Sequence, residues 1–334
     1  KFKKDNLGFI PVGGSEQIGM NANLYQFNDQ WILVDLGIAF PDETQIGVDI
    51  LLPDFDFIKK IKNKLLGIFL THAHEDHYGA IQYFIDEINC PIWGSEFTLA
   101  MLKKKLLDNG SKNKLTLKHY PRKSSIRLNE FEIDTIQNSH SVPQSVSLLI
   151  KTKKNIILHT GDWKFKGAKN INEKPFINEL KALKDLKIST IVSDSTNSLI
   201  EGYTPSENDA YNGLKKIISK SKGLIIITCF SSNISRIKSI LEIAKINDVD
   251  CLWVGHFDLS NFLGVPGQFD SKLYLDAINR IVKAGTKYKK SLGIMVSTRQ
   301  EMDFYFDLGF NVLAVGTEMN LLMDKISNLL KNKG

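Results

Sequence analysis

The segment Thr71-His72-Ala73-His74-Glu75-Asp76-His77 places three of the chain's seven histidines and an aspartate within six residues. In an extended stretch alternate side chains face the same way, so His72 and His74 can grip one cation together. Asp76 and His77 fall where the chain would enter a helix and can turn toward a second cation. Neutral imidazoles with a carboxylate suit Zn2+, with Mn2+ or Fe2+ as alternatives. The bland alternative is a solvated polar turn, but these residues meet at fixed offsets by chance at on the order of one position in a million. Further ligands are at hand. His140, in Asn138-Ser139-His140-Ser141-Val142-Pro143, and Asp162, in His159-Thr160-Gly161-Asp162-Trp163, each follow an apolar run of strand length. A carboxylate has two oxygens and can bridge two cations. Asp35, just after the run Trp31–Val34, is placed to orient a ligating histidine. Taken singly, each is equally well read as a solvated loop residue; their shared position at strand ends raises them.

Positioning such a cluster requires rigid strands before each loop. Strand-length apolar runs fall at Leu7–Val12, Asn23–Phe27, Trp31–Leu36 and Leu65–Leu70, with Gly13-Gly14 and Asn28-Asp29 as turns. A helix is expected from about Tyr78 to Ile88, then strands at Leu115–His119, Ile126–Ile136, Val146–Ile150 and Ile156–His159. From about residue 177 strands and helices alternate. The strands are Thr190–Ser193, Leu224–Cys229, Cys251–Val254, Leu292–Val296 and Val312–Val315, with helices such as Ser206–Ser219 and Asn233–Lys245. That alternation predicts parallel sheet.

The length of 334 residues suggests about two domains. With 43% apolar and 24% charged residues, the composition excludes a disordered tail, a collagen-like repeat and a disulfide scaffold. No window approaches the ~20 apolar residues of a membrane span, so no membrane partner is expected. No hydrophobic signal core follows Lys1–Asp5, and the chain does not begin with Met, which favours a fragment. Cys90, Cys229 and Cys251 form no C-x-x-C pair and read as reduced thiols of a cytoplasmic protein. The net charge of +6 is concentrated before residue 249, with 33 basic against 28 acidic residues there and 10 against 9 beyond. This permits a nucleic-acid partner without requiring one.

H-x-H-x-D-H after a buried strand, followed by an isolated His and a Gly-Asp, resembles the metallo-β-lactamase superfamily. A closer likeness runs from about residue 4 to 245. Gly13-Gly14-Ser15-Glu16-Gln17-Ile18-Gly19-Met20-Asn21, Asp35-Leu36-Gly37-Ile38-Ala39-Phe40-Pro41, Gly47-Val48-Asp49 and Leu52-Pro53-Asp54 resemble the bacterial ribonuclease J family. So do His140–Pro143, Gly161–Phe165, Ser193–Asn197, and Phe230–Ile234 followed by Arg236. The resemblance implies an α/β fold: a metallo-β-lactamase αββα sandwich over residues 1–195 and a truncated β-CASP-like parallel α/β segment over 196–248. It also implies one metal on His72, His74, His140 and Asp162, and a second on Asp76, His77 and the bridging Asp162. Asp194 matches the acidic residue that opens the β-CASP insert and joins Asp76 and His77 as a candidate catalytic residue. The implied activity is metal-assisted hydrolysis of RNA phosphodiester bonds, with Zn2+, or Mn2+ in its place, and single-stranded RNA as partner. A homo-oligomer is left open.

After Lys245 the ribonuclease-like pattern stops, and His256 is the sole later histidine. The family's later His motifs are not found, so the second metal is expected to bind weakly and catalysis to be impaired. Residues 249–334 resemble the HpcH/HpaI family of pyruvate aldolases through Val249–Gly255, Phe257–Ser260, Leu263–Gly267 and Val312–Thr317. This implies three βα units like the end of a TIM barrel, with Asp258 matching one carboxylate metal ligand. Asp258 is equally well read as a helix N-cap. The expected chain is therefore a chimera, and the seam without a linker favours an artefact or decayed gene over a natural fusion. Competing functions are a small-molecule hydrolase of the same superfamily, a non-catalytic module that keeps metal or RNA affinity, and, last, an aldolase.

Overall fold

The structure, a computed structural model, describes residues 5–42, 44–108, 115–121, 125–168, 171, 173–222, 227, 233–243, 251–255, 259–260 and 268–316. Strands β1 (Leu7–Gly13), β2 (Ala22–Phe27) and β3 (Gln30–Val34) form an antiparallel meander. The same sheet continues with parallel strands β4 (Leu65–Phe69), β5 (Ile92–Gly94) and β6 (Leu117–His119). A second sheet runs in the order β11 (Thr190–Val192), β10 (Ile156–His159), β9 (Val146–Lys151), β8 (Phe131–Gln137), β7 (Ile126–Leu128). Only the β10–β11 pair in it is parallel.

The first sheet is buried on both faces, and the two-residue period of its strands sorts the apolar side chains between two cores. Leu24, Trp31, Leu33, Ile68 and Leu70 pack toward helices α1 (Asp56–Ile61) and α3 (Glu96–Asp108), meeting Ile58, Leu99 and Leu102. Tyr25, Phe27, Ile32, Val34 and Phe69 face the other way, onto Phe131, Ile133, Leu148 and Ile150 of the second sheet. The far face of that sheet, through Ile136, Leu149 and Leu158, packs on Phe176 of α4 (Phe176–Ala182). The layers are therefore helix, sheet, sheet, helix, the αββα sandwich expected from the sequence. The unbroken apolar runs are what strands of a twice-covered sheet require.

The expected strand Ile126–Ile136 is two strands, β7 and β8, because the chain reverses at Asn129, which takes a left-handed φ of 52°. The expected helix from Tyr78 to Ile88 is a single α-turn, α2 (Glu75–Tyr78), followed by 3-10 turns at Gly79–Tyr83 and Ile85–Glu87. The strand expected at Leu224–Cys229 falls almost wholly outside the described residues.

The chain divides into two compact units, residues 1–210 with 232–235 and residues 211–231 with 236–334. Within the second, Ile218 of α5 (Glu207–Ile218) and Ile243 of α6 (Ile234–Ile243) share a small core with Leu214 and Leu252. Strands β12 (Cys251–Val254), β13 (Ser291–Val296) and β14 (Val312–Val315) form a parallel sheet with α7 (Lys272–Tyr288) and α8 (Arg299–Asp307) between them. Both helices start on a proper cap: Ser271 accepts from the Tyr274 N–H, and Thr298 with Glu301 forms a capping box. Among the described residues no helix is long and apolar enough to cross a membrane.

Candidate metal centre

Strand β4 delivers its C-terminal end into the loop that carries His72 and His74, and His74 caps the start of α2 in extended conformation (φ −96°, ψ 148°). The turn α2 then presents Asp76 and His77. A second backbone segment holds this turn from the other side: Leu36 N–H donates to His77 O (2.7 Å), Ile38 N–H to Glu75 O (3.0 Å), and Asn21 N–H to Asp76 O (2.8 Å). Gly37 lies so close that a Cβ there would collide with the Asp76 carbonyl, which fixes glycine at this position. Asp35 enters this segment with φ 60°, a strained conformation that Asp tolerates better than most residues.

That strain aims the buried Asp35 carboxylate inward. It accepts from Thr71 N–H (2.7 Å) and Thr71 Oγ1 (2.8 Å), and it lies 2.7 Å from His77 Nδ1. The pairing puts the His77 proton on Nδ1 and turns Nε2 toward Asp76 Oδ2 (3.6 Å) and Asp162 Oδ1 (3.2 Å). His140 and Asp162 come from two loops of the second sheet, tied together by Asn138. Its Nδ2 donates to Ser147 Oγ, to Thr160 O (2.9 Å) and to Asp162 O (3.1 Å). Glu173 steadies the His140 backbone by accepting its N–H at 3.3 Å.

Two groups of ligand atoms result. His72, His74, His140 and Asp162 offer one atom each within 4.8 Å of one another, and Asp76, His77 and Asp162 do the same. In the first, His74 Nδ1 lies 3.0 Å from His72 Nε2 and 3.1 Å from His140 Nε2. Asp162 Oδ2 sits 3.5 Å from His140 Nε2 and 3.9 Å from His72 Nε2, while its Oδ1 faces His77. The two oxygens of Asp162 thus face different groups.

The electrostatics of the two groups differ. Burial, reinforced by neighbouring imidazoles, holds His72 well below its ordinary value. Burial brings His74 down to about 4 and His140 down to about 3, although Asp162 pulls both the other way. Burial would also lower His77, but the charges and hydrogen bonds of Asp35 and Asp162 outweigh it and hold that imidazole well above the ordinary range. Asp162 is half-buried, which would raise it, yet His77 and the other imidazoles keep it below the usual carboxylate range. Burial raises Asp76, partly offset by His77. Three convergent neutral nitrogens and a carboxylate fit a divalent cation such as zinc.

His72, His74, Asp76, His77, His140 and Asp162, the metal residues expected from the ribonuclease-like part, therefore all fall in these two groups, with Asp35 behind them. Asp194 does not join them. Its carboxylate accepts from Thr196 N–H (2.8 Å) and Thr196 Oγ1 (2.7 Å), and its N–H donates to Thr160 Oγ1 (3.1 Å). Asp258 and His256 lie outside the described residues. Sequence reasoning passed over Asn21, Thr71 and Asn138. Asn21 closes the glycine-rich N-terminal motif, Asn138 precedes His140 by two residues and Thr71 opens the histidine segment, but nothing in their types marked them as site residues.

The model of the metallo-beta-lactamase superfamily matches residues 19–194. Ribonuclease J of Sinorhizobium meliloti is 35% identical over 255 residues, which cover 75% of this chain and 45% of that protein. Ribonuclease J 2 of Staphylococcus saprophyticus is 30% identical over 301 residues, 89% of this chain and 53% of that one. The second alignment necessarily runs past Lys245 into residues 249–334, so the likeness to a ribonuclease J relative continues beyond the point where the sequence pattern is expected to stop, and the expected aldolase-like end finds no support. The chain spans about half the length of these curated relatives. A crystal structure of a protein of unknown function from Enterococcus faecalis covers 92% of this chain and 88% of its own with a TM-score of 0.52 at 15% identity, a likeness of fold.

Proposed function

The chain belongs to the metallo-beta-lactamase superfamily, and from that premise we propose that it is a metal-dependent hydrolase of RNA phosphodiester bonds, of the ribonuclease J type. The observation that carries this reading is Asp162, whose two carboxylate oxygens face two different ligand groups. His72, His74, His140 and Asp162 would hold one zinc ion, and Asp76, His77 and Asp162 a second, with Mn2+ as an alternative. Two such ions, when bound, act as Lewis acids on the attacking and leaving oxygens of a phosphoryl group.

The chain's own residues prepare that step. Asp35 holds a His77 proton on Nδ1 and so aims Nε2 at Asp76 and Asp162, where it would serve a cation on giving up its own proton. Lys164, whose charge is felt at His74 and His140, adds positive potential where an anionic phosphate would approach. Asp194 ties the end of β11 to the Asp162 loop through Thr160 and so positions the site. Among the described residues the second ligand group offers three residues against four in the first, which supports weaker binding of its cation and impaired turnover. The same observation favours the second reading, a module that binds metal or RNA without cleaving. The aldolase reading has a single matched metal position, Asp258, which lies outside the described residues.

Cleavage of single-stranded RNA by the purified chain, with and without EDTA, separates the two readings. The proposal expects EDTA-sensitive cleavage that is lost in His74→Ala. Salt-sensitive RNA binding with no turnover would leave the binding module. Protein that takes up no metal after purification would overturn the hydrolase reading, and protein that also binds no RNA would overturn both.

A further inference from the structure

Among the described residues the second ligand group is one donor short of the first, and Asn21 stands beside it. Its Nδ2 lies 3.1 Å from His77 Nε2 and 3.4 Å from Asp76 Oδ2. Donor atoms that share one first-row cation at 2.0–2.2 Å lie roughly 3.0–3.4 Å from each other. The other separations in this group, 3.2 Å from His77 Nε2 to Asp162 Oδ1 and 3.6 Å from His77 Nε2 to Asp76 Oδ2, are of the same size. The outer atom of the Asn21 amide therefore has a ligand's spacing. The amide nitrogen and oxygen exchange places by a half-turn that leaves the shape of the side chain unchanged. An amide oxygen is an ordinary donor to cations that accept oxygen ligands, such as Mn2+.

Two independent features hold Asn21 at this post. Its backbone is pinned to the loop it would serve: its N–H donates to Asp76 O (2.8 Å) and its carbonyl accepts from Gly37 N–H (2.9 Å). The space beside the amide is kept by Gly14, at φ 84°, where a Cβ would come within 2.6 Å of Asn21 Oδ1. The chain thus brings a polar side chain from an N-terminal loop, 55 residues away in sequence, into reach of Asp76.

We propose that Asn21 is the fourth donor of the second cation, through its side-chain oxygen. This rests on the metal-binding reading above and not on RNA as substrate. The test is Mn2+ binding to the EDTA-stripped full chain, by calorimetry and electron paramagnetic resonance, for wild type, Asn21→Ala and Asn21→Asp. The wild type is expected to take up two Mn2+ with a spin-coupled spectrum. Asn21→Ala should bind the first cation as before, weaken the second about 10–100-fold, as for other residues around a metal site, and lose the coupled signal at limiting metal. Asn21→Asp should bind the second cation more tightly than wild type, because a carboxylate replaces a neutral oxygen.

The sign of the Asn21→Asp effect discriminates. Were Asn21 only a hydrogen-bond donor to Asp76, a new carboxylate would repel Asp76 and weaken the second cation, and that result overturns the proposal. Unchanged second binding in Asn21→Ala overturns it as well. A wild type that binds one cation, matched by Asn21→Ala, overturns the role of Asn21 while the metal reading stands. A wild type that binds none overturns the metal reading itself. Asn21→Asp is nearly isosteric and keeps the test decisive if Asn21→Ala does not fold.

Discussion

The two ligand groups that meet at Asp162 are built on opposite electrostatic plans. The first, around His72, His74 and His140, relies on burial, which keeps its imidazoles neutral with their lone pairs exposed to one another. The second, around Asp76 and His77, relies on carboxylates: Asp35 and Asp162 flank His77 and hold a proton on it. A cation entering the first group displaces little, whereas one entering the second must displace a proton. Within one six-residue segment the chain thus makes one position ready at any moderate pH and another that depends on pH.

The largest expected effect comes from the residue the two groups share. Asp162→Ala should reduce metal content from two ions per chain to fewer than one, by inductively coupled plasma mass spectrometry, and abolish RNA cleavage. Retention of both ions would break the idea of a shared carboxylate. Next comes pH. His74 and His140, with values of about 4 and about 3, stay neutral down to roughly pH 5, so affinity for the first cation should be flat from pH 8 to 5.5. His77 is raised, so below its raised value the second cation competes with a proton. Its affinity should fall by about tenfold per pH unit as the pH drops. Calorimetry in buffers of different ionisation enthalpy checks this as proton release confined to the second binding event.

Asp35→Asn should sharpen the contrast further. It removes the charge that orders His77 and should weaken the second cation by about 10–100-fold. The first cation should suffer less, since Asp35 reaches His72 only through Thr71. The smallest effect belongs to a buried pair outside both groups. Tyr25 OH lies 2.8 Å from His159 Nδ1, and burial brings His159 down to about 4. Tyr25→Phe should cost about 1–2 kcal/mol of stability by leaving that nitrogen unpaired, with no change in metal content. Because the folded value of His159 is depressed, the unfolded chain binds the extra proton, and this residue's contribution to stability is lost as pH falls from about 6.5 toward 4. Thermal melts of the metal-free protein measure both effects.

Legibility in the sequence followed the same division. His72, His74, Asp76 and His77 were legible because one loop carries them at offsets that a shared cation requires and a solvated turn does not. His140 and Asp162 are ordinary loop residues until a family pattern aligns them, and the structure supplies the physical link, Asn138 tying their two loops. Asn21 and Tyr25 were not legible as site or support, because their partners lie 55 and 134 residues away and such contacts leave no periodic trace. Strands β1 to β4 and β6 of the first sheet are legible as apolar runs, whereas β5, only three residues long at Ile92–Gly94, is not. The Asn129 reversal was not, because apolar residues on both sides of it mimic one long strand. The turn after His77 was read as α-helix because its composition suits one, yet it forms only a turn of α-helix before 3-10 geometry, beside the backbone of Leu36 to Ile38.

The most direct measurement of the central claim is a crystal structure of the full chain grown with Zn2+, with anomalous difference maps collected at the zinc edge. Two peaks are expected, one among His72, His74, His140 and Asp162, and one among Asp76, His77, Asp162 and Asn21, with the second at lower occupancy. Density at neither position, or a single ion that leaves Asp162 untouched, would contradict the account.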